Sequence, residues 1–206
     1  SRAELASPLV NHRRQADHLS RTGGADCRPR RGDAWPKAAP LRHGDDAAAR
    51  FPRDATELAN PDPLTGLLNR RAWDSQLPSR LAAVQSGCWL AIIDLDRFKQ
   101  INDTHGLAAG DQILRSAAER MAGVVRRGDL LARIGGDEFG LLLVEVDRSV
   151  AIRVFERLAG SIRDQGSDPA VPLTASIGYA SADGVAGDAA QLFAVAERAL
   201  RDAKQA

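Results

Sequence analysis

Apolar and polar positions along this chain follow several distinct patterns, and each predicts a different kind of element. The unbroken apolar run Cys88–Ile93 predicts a strand buried on both faces, ending in Asp94-Leu95-Asp96. Carboxylates at the C-terminal end of such a strand stand where open α/β sheets place ligands. Two shorter runs, Leu130–Ile134 and Phe139–Val144, flank a glycine pair and read as antiparallel strands joined by a tight turn. Leu173–Ala180 alternates and reads as a further strand. Helical spacing appears in Trp73 and Leu77, then in Ile113, Leu114, Ala117, Met121 and Val124. It returns in Val150, Val154, Leu158 and Ile162, and in Leu192, Val195, Ala199 and Ala203, the last helix ending at Lys204. Residues 97–103 continue the buried strand as a short helix. Gly106 and Gly110-Asp111 predict a turn, with Asp111 capping the helix after it. The order is helix, strand, helix, helix, hairpin, helix, strand, helix, which fits an α/β domain with a mainly antiparallel sheet covered by helices.

Residues 1–55 break this regularity. Pro8, Pro29, Pro36, Pro40, Pro52 and scattered arginines interrupt any apolar period, so a disordered N-terminal segment is expected there and a folded domain over 56–206. A chain of 206 residues holds one sizeable domain and a tail rather than two domains. The net charge of +1 argues against a dedicated nucleic-acid binder. Through Glu57 there are 11 basic and 8 acidic residues, and 17 and 19 afterwards, too small an asymmetry for a nucleic-acid arm or membrane patch. Cys27 lies in a polar stretch and Cys88 in an apolar one, which argues against a disulfide framework and for a reducing compartment. No apolar run approaches the roughly 18 residues needed to cross a bilayer. The N-terminus lacks the charged head and apolar stretch of a signal peptide. The expected location is cytoplasmic.

Candidate chemistry gathers at the hairpin tip. There Asp137 and Glu138 follow Gly135-Gly136, whose missing side chains let a ligand approach the backbone. Alone, such a tip is a solvated turn; its companions change the reading. Asp62-Pro63-Leu64-Thr65-Gly66-Leu67-Leu68-Asn69-Arg70-Arg71 carries turn and cap signals leading into a helix. The segment 94–103 reads DLDRFKQIND, and Thr174, Ser176 and Gly178 mark the late strand. In this order the motifs closely resemble the signature of the GGDEF family, the diguanylate cyclases that make cyclic di-GMP from two GTP molecules.

The resemblance implies a fold like the palm of nucleotidyl cyclases and polymerases, with a ferredoxin-like sheet. It implies a nucleotidyltransferase that uses Mg²⁺ (or Mn²⁺) and acts as a homodimer, each domain binding one GTP. The metal ligands would be Asp94, the Leu95 carbonyl, Asp137 and Glu138, with Asp137 also accepting the proton of the attacking hydroxyl. Two divalent ions held by carboxylates are suited to this work in polymerase-like sites. Lys99 would meet phosphate charge in the transition state, and Lys204 matches a late phosphate-contacting lysine. Asn102 and Asp111 would read guanine, whose ring N–H and exocyclic amine suit a carboxylate. Arg126 and Asp129 are by spacing a surface ion pair; by their offset from the hairpin they resemble an inhibitory site for cyclic di-GMP. Asp96 has no assigned role. Two positions depart from the pattern: Leu107 stands where the family has His, and Leu200-Arg201 where it has Leu-Tyr. Two rivals follow: a non-catalytic cyclic di-GMP receptor that acts through a protein partner, and a GTP-binding regulatory domain that makes no product.

Overall fold

A computed structural model describes residues 6–9, 61–84, 86–163, 173–183 and 188–205. The chain runs through β1 (Ala6–Leu9), α1 (Arg70–Ala83), β2 (Trp89–Leu95), α2 (Phe98–His105), α3 (Leu107–Val124), β3 (Leu130–Arg133) and β4 (Glu138–Leu143). It ends with α4 (Arg148–Arg163), β5 (Ala175–Ser181) and α5 (Ala189–Gln205). The five strands form one sheet in the order β1-β5-β2-β4-β3, and every neighbouring pair is antiparallel. Strands β2 to β5 with their connecting helices make the split β-α-β, β-α-β arrangement of a ferredoxin-like sheet, as expected. The expected boundary near residue 56 and most of residues 1–55 lie outside the described residues; of that stretch, Ala6–Leu9 forms the edge strand β1.

Alternation along β2 decides which side of the sheet each residue serves. Trp89, Ala91, Ile93 and Leu95 join a core with Phe98 and Ile101 of α2, Leu114 and Met121 of α3, and Phe155 and Leu158 of α4. Leu90 and Ile92 face the other way, into a core with Trp73, Leu77 and Leu81 of α1 and Leu192, Ala196 and Leu200 of α5. Asp94 follows Leu90 and Ile92 by the same two-residue step, so it belongs to the α1/α5 side. Helices cover both faces, and β5 therefore shows continuous burial from Ile177 to Ser181 rather than the expected alternation.

The second helix after β2 starts earlier than its sequence indicates. Gly106, at φ 84°, ends α2 with its N–H donating to the Asn102 carbonyl at 2.9 Å, and it also stands at the N-cap of α3. One glycine in a conformation closed to most residues thus serves both helices. Asp111 consequently lies within α3 and does not cap it.

Two glycines set how closely helices approach the site. A Cβ on Gly178 would lie 2.2 Å from the Leu200 nitrogen and 2.4 Å from the Ala196 carbonyl oxygen, so α5 rests directly on the β5 backbone. Gly140 of β4 likewise receives the Trp73 ring, 2.9 Å from where a Cβ would stand. Gly178→Ala should cost ~1–3 kcal/mol of stability, because the colliding atoms are backbone and cannot rotate away. Gly160→Ala, within α4 where an added Cβ meets no atom within 4 Å, should instead add ~0.5–1 kcal/mol. Urea unfolding of both variants checks the contrast.

Candidate functional site

Register brings the carboxylates together. In the β2–β4 pair Asp94 stands opposite Glu138, and in the β2–β5 pair it stands opposite Ser176. The Leu95 N–H donates to the Asp137 carbonyl at 3.2 Å, tying the strand end to the hairpin tip. Burial pushes the Asp94 carboxyl above its ordinary range, the Lys204 ammonium pulls it back, and the charges of Asp137 and Glu138 add to the upward push. Lys204 Nζ lies 2.7 Å from Asp94 Oδ2, delivered by the last turn of α5. Asp94 thus feels the charges of both hairpin-tip carboxylates, Asp137 and Glu138. Among the described residues no group of three or more His, Cys, Asp or Glu side chains is placed to hold a metal ion.

The expected guanine readers sit where α2 crosses α3. Gly110 makes this crossing possible, since a Cβ there would lie 1.8 Å from Asn102 Oδ1. That oxygen is buried and has no hydrogen-bond partner. A buried acceptor left unpaired costs free energy, and such a group in a native fold commonly answers to a ligand. Asp111 is half-buried one residue beyond Gly110. Lys99 is exposed on α2. Leu107, at the first position of α3, is 76% exposed.

The hairpin is anchored by a residue the sequence analysis did not single out. Arg133 donates to both Asp62 oxygens, at 3.2 and 3.3 Å, and to the Gly136 carbonyl at 3.2 and 2.7 Å. Its N–H donates to the Leu68 carbonyl at 2.8 Å. Asp62 in turn accepts from the Thr65 N–H and hydroxyl at 2.9 and 2.7 Å. The segment Pro61–Leu68 therefore lines the outer edge of β3 and is bolted to the glycines of the tip. Burial alone would raise the Asp62 carboxyl; the Thr65 hydrogen bonds and the Arg133 guanidinium outweigh it and hold the group below its ordinary value. Gly135 packs against the Glu138 side chain, and a Cβ there would lie 2.7 Å from Glu138 Oε2. A turn signal in Asp62–Gly66 was legible; its partner 71 positions away was not.

Arg126 and Asp129 form more than a surface pair. Arg126 Nε lies 3.3 Å from Asp129 Oδ1, its guanidinium donates to the Val144 carbonyl, and Asp129 also accepts from the Arg126 and Val144 N–H groups. The Asp129 side chain is buried, and that burial pushes its carboxyl upward against the Arg126 charge. The pair borders a cavity of about 350 Å³ lined also by Gly66, Leu67, Val125 and Leu131. Pro61 and Leu68 line the same cavity, so the Arg126–Asp129 pair sits beside the Pro61–Leu68 segment.

Residues 59–206 match the family model described as "Diguanylate cyclase, GGDEF domain". The probable diguanylate cyclase DgcT of Escherichia coli is 35% identical over 159 residues, covering 74% of this chain and 35% of that protein. The diguanylate cyclase DgcP of Pseudomonas aeruginosa is 35% identical over 160 residues, 74% of this chain and 24% of that protein. The chain thus spans about a third or less of these relatives. Among solved structures, P. aeruginosa SiaD, a diguanylate cyclase crystallised with its activator SiaC, aligns with TM-score 0.65 and 37% identity over 70% of this chain and 58% of that one. The coiled coil and GGDEF domain of Caulobacter crescentus DgcB, bound to c-di-GMP, aligns with TM-score 0.66 and 28% identity over 72% and 82%.

The low carboxyl of Asp62 has a pH consequence. Its contribution to stability is complete above the unfolded value near 3.8 and is lost as pH falls through the lower folded value. Asp62→Asn should therefore cost about 1 kcal/mol at pH 7 and almost nothing in strong acid. Unfolding curves of both proteins across acid pH should converge.

Proposed function

This chain belongs to the GGDEF family of diguanylate cyclase domains, and from that membership we propose that it joins two GTP molecules into cyclic di-GMP with release of pyrophosphate. The supporting observation is that Asp94 stands opposite Glu138, within reach of the Asp137 charge and paired with the Lys204 ammonium. Closing the ring takes two such steps, one at each nucleotide, and in each the 3′-hydroxyl of one attacks the α-phosphorus of the other. The new P–O bond forms, the bond to pyrophosphate breaks, and the hydroxyl proton passes to Asp137.

The donor type suits magnesium (or manganese), which takes hard oxygen ligands and commonly only one or two carboxylates besides substrate phosphates. Asp94, Asp137, Glu138 and the Leu95 carbonyl would hold it, and when bound it supplies positive charge to the triphosphate and the attacking oxygen. Lys204 neutralises charge beside Asp94, and Lys99 meets phosphate as charge develops. The unpaired Asn102 Oδ1 is an acceptor suited to the amine edge of guanine, with Asp111 on the adjacent turn of α3. Gly135 and Gly136 keep the tip open to the nucleotide. Each domain holds one GTP, so synthesis takes two copies facing one another. Cyclic di-GMP binding at Arg126 and Asp129, beside the 350 Å³ cavity, would restrain the enzyme.

One observation favours the receptor reading. Leu107, apolar and exposed at the start of α3, offers no polar contact beside the guanine readers, which weakens substrate binding while leaving Arg126 and Asp129 intact.

Purified protein incubated with GTP and Mg²⁺ should yield cyclic di-GMP, and the rate should rise faster than linearly with protein concentration. No product at high concentration, with added cyclic di-GMP still bound, would transfer the function to the receptor. Asp137→Asn should lower kcat by ~10²–10⁴ and leave cyclic di-GMP binding unchanged, read by chromatography and calorimetry respectively.

A further inference from the structure

We propose that Asp96 is a positioning residue for the metal-binding end of β2, acting through Thr174 and Ser176 rather than through any contact with substrate or metal. The inference rests on the cyclase reading above for its purpose, and on geometry for its substance. Asp96 Oδ2 accepts from the Thr174 hydroxyl at 2.6 Å and Oδ1 from the Ser176 hydroxyl at 2.7 Å. Its N–H donates to the Thr174 carbonyl at 2.8 Å. Both oxygens are engaged by β5 and the residues leading into it, so this carboxylate is a staple within the fold.

What the staple holds is the point. Leu95 and Asp96 are consecutive, and their N–H groups go to opposite neighbours: Leu95 to the Asp137 carbonyl, Asp96 to the Thr174 carbonyl. The end of β2 is thereby clamped between the hairpin tip and the start of β5. Ser176, which sends its hydroxyl to Asp96, is also the register partner of Asp94. The clamp therefore fixes the backbone that carries both the Asp94 carboxylate and the Leu95 carbonyl.

A second observation shows that this backbone needs holding. Arg97, next in sequence, has φ 58° and ψ 22°, a left-handed conformation unfavourable for a residue with a side chain. Its own side chain is exposed. The turn from β2 into α2 persists because Asp96 on one side and the buried Phe98 and Ile101 on the other over-determine it. With the Asp96 contacts weakened, the turn is free to relax, and the Asp94-to-Asp137 spacing relaxes with it. Groups that orient metal ligands commonly govern metal affinity by 10–100-fold, ~1.4–2.7 kcal/mol, without touching the metal.

Asp96→Asn keeps the volume and removes the charge and one acceptor. Thr174→Val breaks the same contact from the other side, and Thr174→Ser retains the hydroxyl. Binding of Mn²⁺ in the presence of a GTP analogue with an α,β-methylene bridge, followed by electron paramagnetic resonance, reads the site without turnover. Asp96→Asn and Thr174→Val should each weaken Mn²⁺ binding by ~10-fold, and the double variant should be little worse than either. Thr174→Ser should match the unsubstituted protein. In turnover, kcat should fall while KM for GTP stays within about twofold. Unchanged Mn²⁺ affinity in Asp96→Asn, or a fall in Tm with affinity intact, would overturn the inference and leave the cyclase reading standing. Asp96-dependent Mn²⁺ binding without any synthesis would overturn the cyclase reading alone. No Mn²⁺ binding by the unsubstituted protein would overturn both.

Discussion

The antiparallel register of β2 with its two neighbours is the constraint on which the rest depends. It sets Asp94 opposite Glu138 on one side and Ser176 on the other. Side chains alternate with a period of two, so a slip of one residue would turn Asp94 into the α2–α4 core and bring an apolar neighbour to the site. The apolar residues enforce the register: Leu90 and Ile92 must meet α1 and α5 while Ala91 and Ile93 meet α3 and α4. The core thus aims the carboxylate. The Lys204 ammonium offsets part of the cost of placing a charge at the end of a buried strand.

Close backbone approach is the second device, and it recurs around the site. Gly178 lets α5 lie directly on β5, and that contact carries Lys204 to Asp94. Gly110 lets α3 press on Asn102, which strips the Asn102 oxygen of water and leaves it an unpaired acceptor. Gly140 admits the Trp73 ring behind the hairpin. In each case a missing side chain moves a neighbouring element inward, and a functional group or its support gains its position from that movement. Arg133 adds a polar counterpart, joining the Asp62 turn to the Gly136 carbonyl and so tying the segment before α1 to the hairpin tip.

The blocks of chemistry were legible one at a time because each is a local pattern. An apolar run ending in two carboxylates, a glycine pair before Asp137 and Glu138, and four helical stripes fixed the order of elements and the fold class. Local rules failed where two elements share a residue. Asp111 reads as a helix cap after a turn, yet Gly106 both ends α2 and begins α3, which places Asp111 a full turn inside the helix. The alternation of Leu173–Ala180 was likewise read correctly as a strand, but its solvent face vanished once α5 settled on Gly178.

By itself the sequence determined which residues belong to the core, which strand ends carry carboxylates, and which family the chain joins. Those properties reside in short-range spacing, which the chain carries wherever it folds. Only the tertiary structure decided which groups meet. It paired Lys204 with Asp94, Arg133 with Asp62, and Asp96 with Thr174 and Ser176. These partners stand 110, 71, 78 and 80 positions apart. Nothing local encodes such pairings, because they arise from register and helix docking, and both are set by the whole core at once.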